Sequence, residues 1–346
     1  MGKLPRILII GPAPQNIGGI SIHIRRLMAL LKGDYEFDIV DEGHKRWNGV
    51  FNLRSLNLFK YFGKIFRANI IHIQSGHFVL RLFHVIICKF IFLKNTVVTV
   101  HRDPNIEGRT SITRWFLKRC NSVIVVNDKG YDALVVKNCK CSYLLLPAYL
   151  PPDINAEHQL PDEIIQKIAE IRQDSNSFLM VSNAWKLVRH NNEDLYGLDQ
   201  CIEALVELKK SENHYYLIFV IADNTDAAPY VNQYKKIIEE NDIAERVMIW
   251  EKPLSFVRLA QASDIVLRTT NTDGDAISIR EALDLNKIVI ASDVVKRPQG
   301  VKLFKTRDVN SLVATIENSI GDRGSSQAEK IDYRQKYISI YSKNNK

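Results

Sequence analysis

Short runs of aliphatic and β-branched residues alternate with segments of helical apolar spacing along almost the whole chain. The runs predict strands at 6–10, 69–74, 96–101, 122–127, 142–147, 178–182, 215–222, 246–250, 264–268 and 287–292. Helical patterns lie between them, at 20–31, 78–93, 111–120, 128–136, 199–210, 230–241, 254–261 and 279–285. This alternation predicts α/β architecture, with parallel sheets covered by helices on both faces.

A proline-rich segment interrupts the alternation once, in the middle of the chain. Pro147, Pro151 and Pro152 break both the strand and the helix periodicity, which is typical of a domain boundary. The 346 residues also exceed the size at which a single core stops growing, about 250–300 residues. We predict two doubly wound, Rossmann-like domains, 1–150 and 151–326, that face each other across a cleft.

Composition excludes several other classes of protein. The contents of 46% hydrophobic and 25% charged residues are those of an ordinary globular chain, and five cysteines fit neither a secreted disulfide framework nor a zinc site. Only four apolar residues, Ile7–Ile10, precede Gly11, which is too few for a signal peptide, so we expect a cytoplasmic protein. The most apolar stretch, 78–93, contains three basic residues and is shorter than the ~20 residues of a membrane span.

The excess of basic residues indicates an anionic partner. Lys plus Arg number 47 and Asp plus Glu 39, a net charge of +8, which suits nucleic acid, a membrane surface or a phosphorylated substrate. Aromatic and basic residues interleave over 46–67, as in a helix at an anionic membrane interface, or in an amphipathic helix packed on its own domain. We do not expect a nucleic-acid partner, because no recognised binding motif accompanies the charge.

In doubly wound sheets ligands bind beyond the carboxyl ends of the strands, so the loops there should carry the function. Gly18 and Gly19 follow the first strand and open a helix, where backbone N–H groups can approach a phosphate; the alternative is a tight turn without ligand. Their spacing is not that of NAD or ATP loops. His101 ends another strand, where it can contact a substrate or lie at the surface without one.

The loop after strand 264–268 is the most informative. Asp273 and Asp275 flank a glycine, and Glu281 lies in the helix that follows. Carboxylates here can accept hydrogen bonds from sugar hydroxyls, while helix N–H groups bind phosphate. The alternatives are structural: Ser278 and Glu281 have the spacing of a capping box, and the aspartates suit a turn.

Asp273 and Glu281, separated by seven residues, resemble the glutamate–seven residues–glutamate signature of retaining glycosyltransferases with the two-domain GT-B fold. The continuation Glu-Ala-Leu-Asp-Leu-Asn-Lys-Ile-Val-Ile-Ala-Ser-Asp is similar to that family's helix, turn and next strand. Asn286 stands where the family usually has glycine, and asparagine tolerates the same left-handed helix end. The glycine pair at 18–19 and His101 also match expected positions, so the resemblance covers nearly the whole chain.

The resemblance implies a retaining glycosyltransferase that moves a sugar from a nucleotide-sugar donor to a glycan or lipid-linked acceptor in surface-polysaccharide biosynthesis. The donor would be a co-substrate, and neither a metal nor another cofactor would be required. Residues 1–150 would bind the acceptor and 151–326 the donor, and a helix at about 327–346 would pack back on the first domain. A lipid-linked acceptor would bring the cytoplasmic enzyme to the inner face of the cell membrane.

Site residues are carried over by position. Asp273 would contact the hydroxyls of the donor sugar or help to stabilise the reacting sugar, and His101 would contact the sugar. Glu281 would bind the ribose, and the Gly274–Ala276 backbone would lie against sugar and phosphate. The full set of expected donor-binding residues is Gly18, Gly19, Lys186, Arg189, Gly274, Asp275, Ala276 and Glu281.

The sequence departs from the family pattern in two places. Asp273 is one methylene shorter than the usual glutamate. In addition, Asn183 and Tyr196 stand where the family has an arginine and a lysine that hold the diphosphate. Lys186 and Arg189 lie in the same loop and would supply the missing charge, or they are exposed loop charges.

Two other functions fit these observations. A nucleotide-sugar epimerase of similar two-domain shape would convert free donor without an acceptor. A catalytically silent module that binds a nucleotide sugar or a membrane would bind nucleotide without turnover.

Overall fold

The computed structural model describes residues 4–16, 18–102, 105, 109–225, 227–274, 276–322 and 331–343. The chain forms two compact units, an N-terminal unit of Met1–Asp153 with Ile331–Lys346 and a C-terminal unit of Ile154–Lys330. The division in the middle of the chain follows the proline-rich segment. Each unit is built around one parallel sheet, so the predicted class of two Rossmann-like α/β domains is confirmed.

The N-terminal unit contains a seven-stranded parallel sheet in the order β3-β2-β1-β4-β5-β6-β7. Its strands are β1 (Arg6–Gly11), β2 (Glu36–Asp41), β3 (Phe51–Asn52), β4 (Ile70–Ile73), β5 (Asn95–Val100), β6 (Ser122–Val125) and β7 (Ser142–Leu145). Its helices are α1 (Gly19–Leu30), α2 (Leu58–Arg67), α3 (Phe78–Val85), which continues as a π-helix (Ile86–Ile91), α4 (Thr110–Leu117) and α5 (Asp128–Leu134). The strand order reverses between β1 and β4, which creates a crevice at their carboxyl ends.

The C-terminal unit contains a six-stranded parallel sheet in the order β12-β11-β8-β13-β14-β15 and a small β9–β10 hairpin. Its strands are β8 (Ser177–Lys186), β9 (Arg189–His190), β10 (Glu193–Asp194), β11 (His214–Asp223), β12 (Val247–Trp250), β13 (Ile265–Arg268), β14 (Ile288–Ser292) and β15 (Val301–Phe304). Its helices are α6 (Asp162–Ile171), α7 (Leu198–Leu208), α8 (Ala228–Glu240), α9 (Phe256–Ala262), α10 (Ile277–Asp284) and α11 (Val309–Glu317). Here the order reverses between β8 and β13.

The last helix, α12 (Tyr333–Lys343), belongs to the N-terminal unit. Its side chains Tyr333, Tyr337, Ile340 and Tyr341 are buried. The Tyr341 hydroxyl lies 2.6 Å from Nδ1 of His72, a fully buried residue of β4. Helix α12 therefore packs into the core of the unit that contains the start of the chain.

The central strands are apolar on both sides because helices cover both faces of each sheet. Residues Ile7 to Ile10 of β1 have no exposed surface, and Leu179 to Val181 of β8 have none or almost none. Each unit has its own hydrophobic core. Two rigid sheets thus fix the positions of the loops that leave their carboxyl edges.

Candidate functional site

In the C-terminal unit, the loops that follow β8 and β13 are bound to each other at the point where the strand order reverses. The Thr269 hydroxyl donates to the carbonyl oxygens of Tyr196 (2.8 Å) and Gly197 (3.1 Å), and the Asn271 amide donates to the Leu195 carbonyl (3.1 Å). A Cβ atom on Gly197 would lie 2.2 Å from the Thr269 carbonyl oxygen. Glycine is therefore required where these two loops meet.

Asp273 accepts five hydrogen bonds in the loop after β13. Arg268 binds both of its oxygens, with Nε–Oδ2 3.0 Å and Nη2–Oδ1 2.9 Å, and Arg297 Nη1 lies 2.7 Å from Oδ2. The Thr270 hydroxyl (3.2 Å) and the Gly274 amide (2.9 Å) donate as well. Burial opposes ionisation, but the two arginines outweigh it and lower the pKa of the Asp273 carboxyl to about 2. Asp273 is therefore a paired anion at neutral pH.

The two arginines differ in how much of their hydrogen-bonding capacity the chain uses. Arg297 is 2% exposed, and besides Asp273 it donates to Ser292 and Thr270, so it fastens β14 to the loop. Arg268 ends β13 and is 13% exposed, and its guanidinium carbon lies 5.3 Å from the centre of the Tyr196 ring. Neither was predicted as a site residue, although a basic residue at the carboxyl end of a strand is a signal that could have been used.

Glu281 lies in α10 and is only 6% exposed. Helix α10 begins at Ile277 with Ala276 as its N-cap, and no side chain caps it. The capping-box alternative for Ser278 and Glu281 is therefore wrong, because Ser278 lies inside the first turn. Glu281 is the fifth residue of this helix, and its contact with a ligand hydroxyl stays a prediction.

The glycine and alanine of the same loop leave room beside the backbone. A Cβ atom on Gly274 would meet no atom within 4 Å, so this part of the loop is open to close approach. Ala276 is extended and partly exposed. Asp275 lies outside the described residues.

Lys186 and Arg189 occupy different positions in the loop after β8. Lys186 is the last residue of β8, in register with Asp223 of β11, and is partly buried. Arg189 is exposed on the β9–β10 hairpin, with its guanidinium carbon 5.2 Å from the centre of the Tyr230 ring. Lys186 therefore lies at the sheet edge itself, and Arg189 on a projection beyond it.

In the N-terminal unit, His101 follows β5 and is held by two neighbours. Its Nε2 atom lies 3.2 Å from Oε1 of the buried Gln74, and its ring meets that of His23 edge-on at 5.2 Å. Burial, followed by the nearby cations, lowers the pKa of His101 well below its usual value. The imidazole is neutral at pH 7 and suited to hydrogen bonding.

The histidine beside His101 is itself tied to the C-terminal helix. His23 Nδ1 lies 2.7 Å from the Ala148 carbonyl oxygen, to which it donates, and its Nε2 lies 3.3 Å from the Tyr337 hydroxyl of α12. Burial lowers the pKa of His23 to about 4. The sequence did not indicate this support, because it joins residues that are far apart in the chain.

Gly18 and Gly19 begin α1 at the carboxyl edge of the same sheet. Gly18 is extended, with φ 177°, so the loop makes no tight turn at this residue, and a Cβ atom on either glycine would meet nothing within 4 Å. Packing within the described residues does not require glycine at either position. Both glycines are exposed, so a ligand can approach the backbone closely here.

A second surface of the N-terminal unit is rich in exposed apolar side chains; we call it the apolar face. It is formed by α2, α3 with the π-helix, and α4, and comprises Leu56, Leu58, Phe59, Phe66, Val79, Phe83, Ile86, Phe90, Ile91, Leu93, Ile112 and Trp115. Ring contacts join the helices, with Phe62 5.5 Å from Phe92 and Phe90 stacked at 6.4 Å on Trp115. Residues 43–102 contain ten Lys or Arg and no Asp or Glu.

Two other kinds of feature are absent from the part of the chain that the structure describes. There, no three or more His, Cys, Asp or Glu side chains are grouped so that they would hold a metal ion. None of the described helices has both the length and the apolar composition that crossing a bilayer requires.

No protein-family model matches the sequence, and no curated protein matches it. Solved structures, in contrast, match over nearly the full length. A glycosyltransferase from Rickettsia africae has a TM-score of 0.64 at 16% identity, covering 99% of this chain and 96% of its own. HepE from Anabaena, in complex with UDP and glucose, has a TM-score of 0.57 at 17% identity, and the match covers 99% of this chain and 94% of HepE. Sucrose-phosphate synthase from Thermosynechococcus elongatus has a TM-score of 0.57 at 14% identity, and the match covers 98% of this chain and 96% of the synthase. The chain is thus similar in fold to GT-B glycosyltransferases, and the resemblance predicted from its sequence is confirmed at that level.

Proposed function

We propose that this protein is a retaining glycosyltransferase that moves a sugar from a nucleotide-sugar donor to a glycan or lipid-linked acceptor in surface-polysaccharide biosynthesis. The observation that carries the proposal is the cluster at the β8/β13 crevice. There a buried carboxylate, Glu281, shares one loop and helix with a charged group around Asp273, in a GT-B fold. Related folds bind such donors: HepE structures contain UDP and UDP-glucose.

The residue roles follow the chemistry of such a donor. Glu281 accepts hydrogen bonds from the ribose hydroxyls, the backbone of Gly274–Ala276 lies against sugar and phosphate, and Lys186 or Arg189 contributes positive charge to the diphosphate. In the N-terminal unit, neutral His101 offers hydrogen bonds to a sugar, and the open N–H groups at 18–19 suit a phosphate. Charge on the leaving group is then neutralised by side chains and backbone, and we propose that no metal is needed.

The proposal also includes binding of the protein to a membrane surface. A lipid-linked acceptor lies at an anionic bilayer surface, and the apolar face has the matching chemistry, with exposed rings beside cations and no acidic residue over 43–102. We propose that the enzyme is a cytoplasmic protein associated peripherally with the inner face of the cell membrane.

The test is donor turnover. Wild-type protein is incubated, with and without EDTA, with UDP-, GDP-, ADP- and dTDP-sugars and with lipid-linked or free glycan acceptors. Nucleoside diphosphate release and product NMR are followed. We expect acceptor-dependent release, resistant to EDTA, and a product with the anomeric configuration of the donor. Glu281→Gln should reduce kcat/KM by about 10- to 100-fold, since a hydrogen bond to a charged group contributes ~1.5–3 kcal/mol.

The matched control is Glu240→Gln, which alters a carboxylate at the end of α8 and should leave turnover unchanged. An inverted product would contradict retention. Conversion of free donor without acceptor would instead favour an epimerase, and nucleotide binding without any turnover would favour a silent binding module.

A further inference from the structure

Arg268 is the cation at the carboxyl edge of the second sheet whose guanidinium the chain leaves incompletely bonded. Nε and Nη2 bind Asp273 at 3.0 and 2.9 Å, while Nη1 lies 3.5 Å from the Asn183 carbonyl oxygen, longer than an ordinary N–H···O bond. Among the described residues, Nη1 thus has no short acceptor. Arg268 is 13% exposed, so part of its side chain is accessible to a ligand.

The Asp273 carboxylate, in contrast, has no hydrogen-bonding capacity left. A carboxylate offers about four lone-pair sites, and five donors from Arg268, Arg297, Thr270 and Gly274 already occupy its two oxygens. Only 7% of its side chain is exposed. An incoming sugar hydroxyl would have to displace one of these donors to reach it, so Asp273 is better placed to orient Arg268 than to bind a sugar.

The position of Arg268 explains what compensates for Asn183 and Tyr196. Its guanidinium lies over the Tyr196 ring and beside the Asn183 carbonyl, so it occupies the space next to both residues. A ring face stabilises a guanidinium, and the bidentate carboxylate fixes its plane. The cation that the loop after β8 lacks at 183 and 196 is thus provided from β13.

We propose that Arg268 binds the diphosphate of the nucleotide-sugar donor, and that Asp273 is a positioning residue that acts through it. Arginine suits this task, because its planar N–H groups match phosphate oxygens and its charge neutralises the leaving group. The net charge of Arg268, Arg297 and Asp273 is +1, so an anion can be accepted. This inference rests on the proposed function and names the residue that holds the donor's charge.

The first experiment separates a positioning role of Asp273 from a sugar contact. UDP, GDP, ADP and dTDP are titrated calorimetrically into wild-type protein, and the tightest nucleoside diphosphate and its glucose conjugate are carried forward. Asp273→Asn should weaken the binding of both ligands by a similar factor of about 10, as expected when one charge-assisted interaction is lost. If Asp273 acted only through its negative charge, its removal would instead strengthen the binding of both ligands. An unchanged affinity for the diphosphate, with weaker binding of the sugar conjugate alone, would overturn the proposal.

The second experiment tests Arg268 itself. Arg268→Gln should weaken binding of the nucleoside diphosphate by about 10- to 100-fold and leave the affinity for the nucleoside unchanged. The diphosphate affinity of Arg268→Lys should lie between those of wild type and Arg268→Gln. Arg172→Gln is the matched control, because Arg172 pairs with Asp264 just before β13, at the opposite edge of the same sheet. It should bind like wild type.

A folding defect is excluded by a second variant. Arg268→Lys keeps the positive charge beside Asp273, and the melting temperatures of both Arg268 variants are compared with that of wild type. Wild-type affinity for the diphosphate in either folded Arg268 variant would overturn the inference. Failure of wild-type protein to bind any of the four nucleotides would instead refute the proposed function, which is a distinct outcome.

Discussion

Gly197 is the residue at which the two loops of the C-terminal unit come closest. Its φ of 71° lies in the left-handed region, and a side chain there would overlap the Thr269 carbonyl oxygen. The backbone around it sets where the Tyr196 ring lies, and therefore what supports Arg268. A single position thus combines conformational and steric demands for glycine.

Gly197→Ala should reduce the free energy of unfolding by about 2–5 kcal/mol. The left-handed conformation costs ~1–2 kcal/mol for a residue with a Cβ, and overpacking costs ~1–3 kcal/mol. Urea denaturation monitored by circular dichroism measures the difference. The control is Gly274→Ala, whose new methyl group meets no atom within 4 Å and should leave stability nearly unchanged. Equal stability of the two variants would contradict the assigned role of Gly197.

At the scale of single residues, the sequence pointed to those whose spacing forms a local motif. Asp273 and Glu281 were found because the loop and helix that carry them are contiguous in the chain. Arg268 was overlooked although it ends a predicted strand, and its contacts with Tyr196 and Asn183, more than seventy residues earlier, form no local motif. His23 and Tyr337 were missed for the same reason, since a contact across the whole chain leaves no local pattern.

Among the elements, the central strands buried on both faces were predicted, whereas two of the strands that were missed, β2 and β15, are only partly buried. β1, β5 and β8 are nearly continuous apolar runs, as central strands of a covered sheet must be. β2 was missed because three of its six residues, Glu36, Asp38 and Asp41, are charged. β15, at the edge of its sheet, was missed because it has only four residues and is partly exposed.

Helix α2 lies within residues 46–67, for which the sequence offered two interpretations: a helix at a membrane interface or a helix packed on its own domain. Tyr61 and Ile65 are buried against the unit, while Phe59 is 93% and Phe66 74% exposed. The helix therefore packs on its own domain and still presents aromatic rings outward. The packed-helix interpretation is confirmed for the buried side, and the membrane interpretation stays a prediction for the exposed side.

Phe59→Ser with Phe66→Ser should weaken binding to phosphatidylglycerol-containing vesicles by tenfold or more, since burying each ring contributes ~1.5–3 kcal/mol. Vesicle sedimentation over a salt series measures the affinity, which should fall as salt screens the basic residues. Ile165→Ser is the control, because Ile165 is 49% exposed on α6 of the other unit. If wild-type protein fails to sediment with these vesicles even at low salt, the membrane role of the apolar face is refuted.

For the whole molecule, the path of the chain matters as much as its two sheets. The N-terminal unit is assembled from both ends of the sequence, whereas the C-terminal unit is one continuous segment. Four buried side chains of α12 complete the N-terminal core. Stability of the N-terminal unit should therefore depend on residues beyond the C-terminal unit.

A chain that ends at residue 322 should lose the folded N-terminal unit and retain the C-terminal one. Removing four buried side chains withdraws about 6–12 kcal/mol, comparable with the ~5–15 kcal/mol stability of a whole domain. Limited proteolysis and calorimetry would show one resistant fragment and one transition. Full-length Lys336→Ala, altered on the exposed side of α12, should keep both units folded. Two resistant units in the truncated chain would contradict this dependence.

The return of α12 also sets the order in which the molecule is completed during synthesis. Domains usually fold in the order in which the ribosome produces them, at ~5–20 residues per second. Here the C-terminal unit has all its residues before the N-terminal unit does, because the helix that closes the N-terminal core follows the C-terminal unit in the chain. The seven-stranded sheet therefore waits, without this helix, while the entire second domain is made. Newly made protein gains its complete first domain only after the second has been synthesised.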